Sequence, residues 1–282
     1  MVVLFIYICI LFKVKYIIMR VYLVALLLVF IGLTGFSSYT KEVVEERPPL
    51  PCLNKKFSII AHIVKDSLGS AGIAEASILA KINSVNSYFS DICVSFEVCE
   101  FRYIDNFQYD SLVAPVEWSL LQTDYHEANR INMFFVKATH DGASFASLGG
   151  VASLNNGGIV IVKSHGLMVW VHEMGHYFGL EHTFEGAGTA NAELVDGSNC
   201  LTAGDGICDT PADPFIVGSQ QSDWLDTITC EYTYMGQDAN GDYYTPYIGN
   251  IMSYYKCARC RFTYEQYLRM ANTYLNSNPK MW

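Results

Sequence analysis

The chain has 282 residues, 51% of them hydrophobic, with 18 basic against 28 acidic side chains and 9 cysteines. That composition excludes a disordered chain, a collagen-like repeat and a small scaffold held by disulfides alone. The first 38 residues carry Lys13, Lys15 and Arg20 and no acid, so the remaining 244 have 15 basic and 28 acidic groups, a net charge of -13. Phosphate backbones and anionic lipid headgroups would repel such a surface, so no nucleic acid and no membrane partner is expected unless the leader stays as an anchor. The same acidity hints at basic substrates, although whole-chain charge says little about one pocket.

Residues 1–38 hold two apolar runs, Val2 to Phe12 and Tyr16 to Leu33. Read from Met19, Arg20 is the charged start, Val21 to Leu33 the apolar stretch, and Gly35, Ser37 and Ser38 the small residues of a cleavage region. This is a signal peptide for residues 1–38, with Met19 as an alternative start; a retained anchor is the competing reading. Residues 39–56, with Glu42, Glu45, Glu46 and the Pro48-Pro49-Leu50-Pro51 stretch, read as a linker or short pro-segment. The folded domain is set at 57–282, with an upper lobe over 57–182 and a lower lobe over 183–282. Its location is expected to be secreted, extracellular or periplasmic.

Phe57 to Val64 has the compact apolar character of a strand. Ala71 to Phe89 places Ile78, Ile82, Val85 and Phe89 at helical spacing. Cys93 to Tyr103, Ile131 to Lys137 and Ile159 to Val162 read as further strands, the last reached through glycine-rich turns at 149–158 and expected to form the sheet edge. After residue 185 loops dominate. Thr263-Tyr-Glu-Gln266 is a capping-box pattern, so a closing helix is predicted there. The fold class is α+β: an N-terminal twisted mixed sheet with a backing helix and an active-site helix, then an irregular disulfide-rich lobe ending in a helix.

Eight cysteines lie beyond the leader: Cys52, Cys93, Cys99, Cys200, Cys208, Cys230, Cys257 and Cys260. An even number behind an export signal reads as disulfides, with 105 possible pairings. Cys257-x-x-Cys260 could be a zinc or redox pair, but without a second such pair the disulfide reading is preferred. Cys52 could instead be a pro-segment thiol that caps a metal; the even count favours a disulfide for it.

The chemistry is concentrated in His172-Glu173-Met174-Gly175-His176-Tyr177-Phe178-Gly179-Leu180-Glu181-His182. Leu167, Trp170, Val171, Met174 and Phe178 mark the buried face of a helix opening near Ser164. On it His172 and His176, four apart, present two imidazoles to one point. Gly179 takes the left-handed conformation that ends the helix, so that His182 returns as a third ligand. Three neutral imidazoles leave the fourth position of a zinc ion for water, whose acidity the ion raises, and Glu173 flanks the ion as proton acceptor. The five-point pattern would arise by chance in roughly one chain in 10⁵.

The elongated motif is the metzincin signature, which also includes a Met-turn, for which Asn250-Ile-Met252-Ser-Tyr254 is the candidate. Val171 to Phe184, Gly204-Asp-Gly-Ile-Cys-Asp-Thr-Pro211, Asn250 to Tyr254, and Phe262-Thr263 ahead of Gln266 and Arg269-Met270 together resemble the pappalysin family of metzincins, including its ulilysin-like and cytophagalysin-type members. The specific anchors lie in 171–271. The resemblance implies a zinc metalloendopeptidase acting on protein or peptide substrates. It assigns His172, His176 and His182 to the metal, Glu173 to general base and then acid, Met252 to the Met-turn, and Tyr254 to the oxyanion. It also implies interleaved disulfides Cys200–Cys230 and Cys208–Cys257, and a calcium ion near Asp205, Asp209 and Thr210. Asp238 to Asp242 lacks the glutamate of an EF-hand and reads as a turn. The alternative function is a non-catalytic binding protein, secreted or tethered, keeping a structural zinc; oligomeric state is not encoded.

Overall fold

The structure is a computed structural model and describes residues 47–141, 147–148, 150–152, 158–257 and 259–277. The leader, its anchor alternative and the polar stretch as far as residue 46 lie outside the described residues. Within them no helix is long and apolar enough to cross a membrane. The elements all belong to the unit Leu50–Trp282.

Strand β1 (Lys55–Val64) and strand β2 (Val94–Ile104) pair in parallel, so the chain between them must cross over, and helix α1 (Glu75–Phe89) does so. Its four buried residues are Ile78, Ile82, Val85 and Phe89, the apolar face expected from their spacing. β4 (Ile131–Val136) joins the other side of β1, and β8 (Ile159–Val162) joins β4, both in parallel. The edge is β7 (Gly150–Ala152), antiparallel to β8, giving the order β2-β1-β4-β8-β7. The expected edge at Gly158 to Val162 is therefore corrected: β8 has a neighbour on each side. Its four residues are all buried, as a strand enclosed on both faces and both edges requires.

The period of two along these strands separates two cores. Met133 and Phe135 of β4, with Ile159 and Ile161 of β8, face α1 and helix α3 (Leu167–Tyr177). Phe134, Val136, Val160 and Val162 face the opposite way, onto Trp118 and Leu121 of helix α2 (Val116–Tyr125). Each such apolar side chain contributes roughly 1.5–3 kcal/mol by leaving water. Helix α2 is not among the elements expected from the sequence. Its apolar residues go round the helix rather than along one face, and Val116 and Leu120 stay exposed. The small sheet of β3 (Ser111–Ala114), β5 (Ala138–Asp141) and β6 (Ser147–Leu148) is likewise unforeseen, being too short to show a period.

Beyond residue 182 the chain is held by turns, isolated bridges and disulfides until helix α4 (Tyr264–Asn276). Helix α4 opens with the expected capping box between Thr263 and Gln266 and buries Gln266, Tyr267, Met270 and Ala271. The disulfides are Cys52–Cys93, Cys200–Cys208 and Cys230–Cys257, with Cys99 and Cys260 free. The interleaved pairing is thus overturned. Successive turns, Ala203 N to Asn199 O and Gly206 N to Ala203 O, fold the 200–208 stretch back on itself, bringing those two Cα atoms to 5.0 Å. Cys230 is left to take Cys257. Cys52, bonded to Cys93 at the start of β2, is not a thiol that could cap a metal.

One buried ion pair ties β1, β4 and β8 together beneath the small sheet. Lys163 Nζ lies 2.7 Å from Asp110 Oδ1, both side chains 7% exposed, and also donates to the Val64 carbonyl. The same Asp110 oxygen accepts from Lys137 N. Removing one partner leaves a buried charge, so Lys163→Met is expected to lower the unfolding free energy by about 3–5 kcal/mol. The double replacement Lys163→Met with Asp110→Asn, which keeps the acceptor for Lys137, should recover most of that loss; urea denaturation of both variants checks it.

Candidate active site

Helix α3 carries the first half of the site. It starts at Leu167 after a Ser164-His165-Gly166 turn and buries Trp170, Val171, Met174 and Tyr177 against the sheet, with Trp170 5.1 Å from Phe135 between ring centres. A helix fixed on that face has its next positions, His172, Glu173 and His176, set by the roughly 100° step of the spiral. Gly179, at φ +86°, ends the helix in the left-handed region, and Leu180 N returns to the Gly175 carbonyl. His182 then comes back over the helix. The three Nε2 atoms meet: His176 is 3.1 Å from His172 and 3.0 Å from His182.

Two hydrogen bonds decide what that meeting means. His172 Nδ1 lies 2.8 Å from the Ile251 carbonyl and His176 Nδ1 2.7 Å from the Leu180 carbonyl. A carbonyl only accepts, so each Nδ1 carries the proton and each neutral ring presents a bare Nε2 lone pair. Two lone pairs at 3.1 Å repel unless a cation lies between them. Burial also holds all three imidazoles in the neutral form that ligates, His172 and His176 below the usual histidine range and His182 down to about 3. Three convergent imidazole nitrogens, two of them with carbonyl-bonded far sides, fit zinc.

Glu173 is buried beside them, and loss of solvent pushes its carboxyl up to about 8, with the Arg259 charge pulling the other way. Tyr254 stands over the group, its ring centre 4.7 Å from His182 and 5.7 Å from His172. Burial first, and Glu173 second, raise its hydroxyl to about 12, so it stays a donor at neutral pH.

The floor is built by the turn at 250–253. Met252 is fully buried under α3, and a Cβ placed on Gly175 would come within 2.6 Å of its sulfur, so only glycine leaves room for this approach. Asn250 fixes the turn: its Oδ1 accepts from Met252 N at 2.8 Å, and its amide exchanges hydrogen bonds with the Gln266 amide of α4. Below His182 the ring of Phe184 stacks at 4.7 Å, backed by Phe215 and Trp224. Asp213 accepts from the hydroxyls of Thr183, next to that histidine, and of Tyr255, next to Tyr254. Sequence reasoning misses this brace and Arg259. Asp213 lies in no motif, and Arg259 follows a turn whose course only the fold reveals.

Asp205 and Thr210 do come together. The Thr210 hydroxyl lies 2.9 Å from both Asp205 oxygens, while Asp209 instead accepts from Glu265 N at the start of α4. Glu193 joins Asp205 there, its Oε2 buried without a partner. Asp238 to Asp242 is the expected turn, closed by Asp238 Oδ1 on the backbone of Asn240 and Asp242.

A parallel sheet with an antiparallel edge strand, a helix giving two histidines, a third histidine after a glycine, and a methionine turn beneath them define the metzincin class of zinc peptidases. The solved structure of mature mirolysin from Tannerella forsythia, in complex with a cleaved peptide, has the same fold, with a TM-score of 0.53 and 16% identity over 79% of this chain and 91% of that one. No protein among those of curated function matches. Residues 143–275 match the family model described as pregnancy-associated plasma protein-A. Over those residues, somewhat under half of the chain, it is similar to the pappalysin family, a likeness that supports a metalloendopeptidase.

Asn250→Ala would strand the Met252 amide and the Gln266 side chain, at roughly 1–3 kcal/mol for each unsatisfied group. The expected outcome is a lower thermal midpoint together with weaker zinc retention in competition with a chromogenic chelator, because the Met-turn and the Ile251 carbonyl that orients His172 loosen together.

Proposed function

We propose that the chain is an exported zinc endopeptidase in which His172, His176 and His182 hold the ion, Glu173 moves the proton and Tyr254 steadies the oxyanion. The observation that carries this reading is the pair of carbonyl-fixed histidine tautomers with their Nε2 atoms 3.1 Å apart. Zinc, when bound, acidifies water and polarises the peptide carbonyl. Glu173, as the carboxylate, takes the proton of the attacking water and gives it to the leaving amine, its buried place beside the histidines favouring the protonated form between the two transfers. The Tyr254 hydroxyl donates toward the charge that develops on the carbonyl oxygen. An extended peptide would add to the open edge of β7 through main-chain hydrogen bonds. A structural zinc in a binding protein would have no use for Glu173, which supports the catalytic reading over the alternative.

Export is supported by the leader and by three disulfides, which persist in oxidising compartments. The proposal keeps the catalytic domain at 57–282, following the leader and a linker that the Cys52–Cys93 disulfide ties to it.

Glu173→Gln is expected to retain one zinc per chain and lose at least about 10³-fold in kcat on a mixed peptide library, and Tyr254→Phe to lose about 10²-fold with zinc unchanged. Full turnover in zinc-loaded Glu173→Gln would sink the assignment; metal analysis beside mass-spectrometric cleavage mapping reads both.

The calcium reading is extended to Asp205, Thr210 and Glu193. Burial raises Glu193 to about 7 and Asp205 to about 8. An acid raised on folding stabilises fully below its unfolded pKa, about 4, and loses that contribution as pH climbs through the folded value. Zinc-loaded, calcium-free protein should therefore lose thermal stability between about pH 4 and about pH 8 from these two groups. Added calcium, which favours their ionised forms, should remove most of that loss, and Glu193→Gln should abolish the calcium effect.

A further inference from the structure

Two of the three histidines are oriented through the far side of the ring, His172 and His176 each by a carbonyl at Nδ1. Among the described residues no hydrogen bond reaches Nδ1 of His182. That ring also lies past the end of α3, so the helix does not fix it either. Its neighbours do. Phe184 stacks on it at 4.7 Å with the two planes 10° apart, and the hydroxyl of Thr183, between them in the chain, donates to Asp213 Oδ2 at 2.6 Å. The other oxygen of the same buried carboxylate, Oδ1, accepts from the Tyr255 hydroxyl at 2.7 Å and from Phe215 N at 3.1 Å. Three donors occupy most of the roughly four lone-pair positions of a carboxylate and leave it one orientation. Tyr255 adjoins Tyr254, whose ring centre is 4.7 Å from that of His182. Asp213 therefore closes a loop of contacts that runs from His182 through Thr183, Asp213, Tyr255 and Tyr254 back to His182.

We propose that Asp213 is a positioning residue that sets His182 against Tyr254, acting through its hydrogen bonds rather than through its charge. The inference rests on the peptidase reading, in which one of those residues holds the ion and the other meets the oxyanion. Hydroxyl-to-carboxylate bonds are short and directional, and each arm starts one residue from a site residue, so a displacement at either end is passed to the other. The Phe215 ring, 5.3 Å from Phe184 and 5.4 Å from Tyr255 between ring centres, packs at both ends of the brace, and its amide holds the carboxylate in that packing. The two arms are in series. Losing either one breaks the same connection, so a second loss adds little to the first, whereas a residue that only supports the core would give two separate losses that multiply. Asparagine has the shape to keep the brace without the charge: its oxygen accepts from Tyr255 and Phe215, and its amide donates to the Thr183 oxygen.

The test compares wild type with Thr183→Val, Tyr255→Phe, the double variant and Asp213→Asn. Zinc-loaded proteins are assayed for kcat and KM on one quenched peptide taken from the wild-type cleavage map. Cobalt-loaded proteins are read by visible absorption, which reports the geometry of the ligand set without any turnover. Expected is a fall in kcat of about 10- to 100-fold, alike in the two single variants and no deeper in the double one, with KM within about 2-fold of wild type. Asp213→Asn should stay within about 3-fold of wild type in kcat. The cobalt bands should move in Tyr255→Phe, which touches the far arm, as they do in Thr183→Val. The single variants carry the test by themselves if the double one does not fold. Unchanged cobalt bands in Tyr255→Phe overturn the proposal, as do losses that multiply in the double variant. A fall in Asp213→Asn as deep as in the single variants also overturns it, because the charge would then be what matters. Absence of cleavage by zinc-loaded wild type sinks the peptidase reading, and the cobalt spectra then decide this inference separately.

Discussion

The carbonyls of Ile251 and Leu180 accept from the Nδ1 atoms of His172 and His176, and those two hydrogen bonds set the conditions for everything around them. They dictate which ring nitrogen is bare, and the bare nitrogens point at each other. A chain that folds this way without a cation holds lone pairs against lone pairs in a buried place; with one, the same contacts become ligand bonds. Ile251 belongs to the turn at 250–253 and Leu180 lies just past the end of α3, so the first bond also joins that turn to the helix that carries His172.

Rigid support for that arrangement comes from burial rather than from the site. Helix α3 is pinned by Trp170, Val171, Met174 and Tyr177 on the faces of β4 and β8, and its underside rests on Met252 through the gap left by Gly175. The Met-turn is pinned in turn by Asn250 to the amide of Gln266, whose other hydrogen bonds close the N-terminus of α4. The capping box therefore has a second duty. The residue that satisfies the first turn of the last helix also holds the floor of the site, which is why a glutamine with no exposure sits at the third position of that helix.

Those parts of the fold whose cause is local were legible in the chain. The α1 face at Ile78, Ile82, Val85 and Phe89, the capping box at Thr263, and the turn at Gly179 that returns His182 each follow from spacing and backbone conformation within a few residues. Parts caused by distance were not. β8 reads as an apolar tetrad whether it lies at an edge or inside, and only the antiparallel pairing of β7 decides between them. The cysteine pairing failed for a related reason. Residue counts carry no information on the turns that run from Asn199 to Gly206, and the 200–208 stretch closes on itself before longer pairings come into reach, as the 5.0 Å Cα separation of Cys200 and Cys208 records.

The polar brace and Arg259 belong to the same lesson at the level of chemistry. Asp213 joins Thr183 to Tyr255, two residues 72 positions apart that each adjoin a candidate site residue, and so ties the stretch carrying His182 to the stretch carrying Tyr254. No motif marks such a residue, because its effect lies in whom it connects. Arg259 has the reverse character. Its hydrogen bond to Ser253 reaches only six residues back, yet the turn it closes sets its charge beside Glu173 and Tyr254.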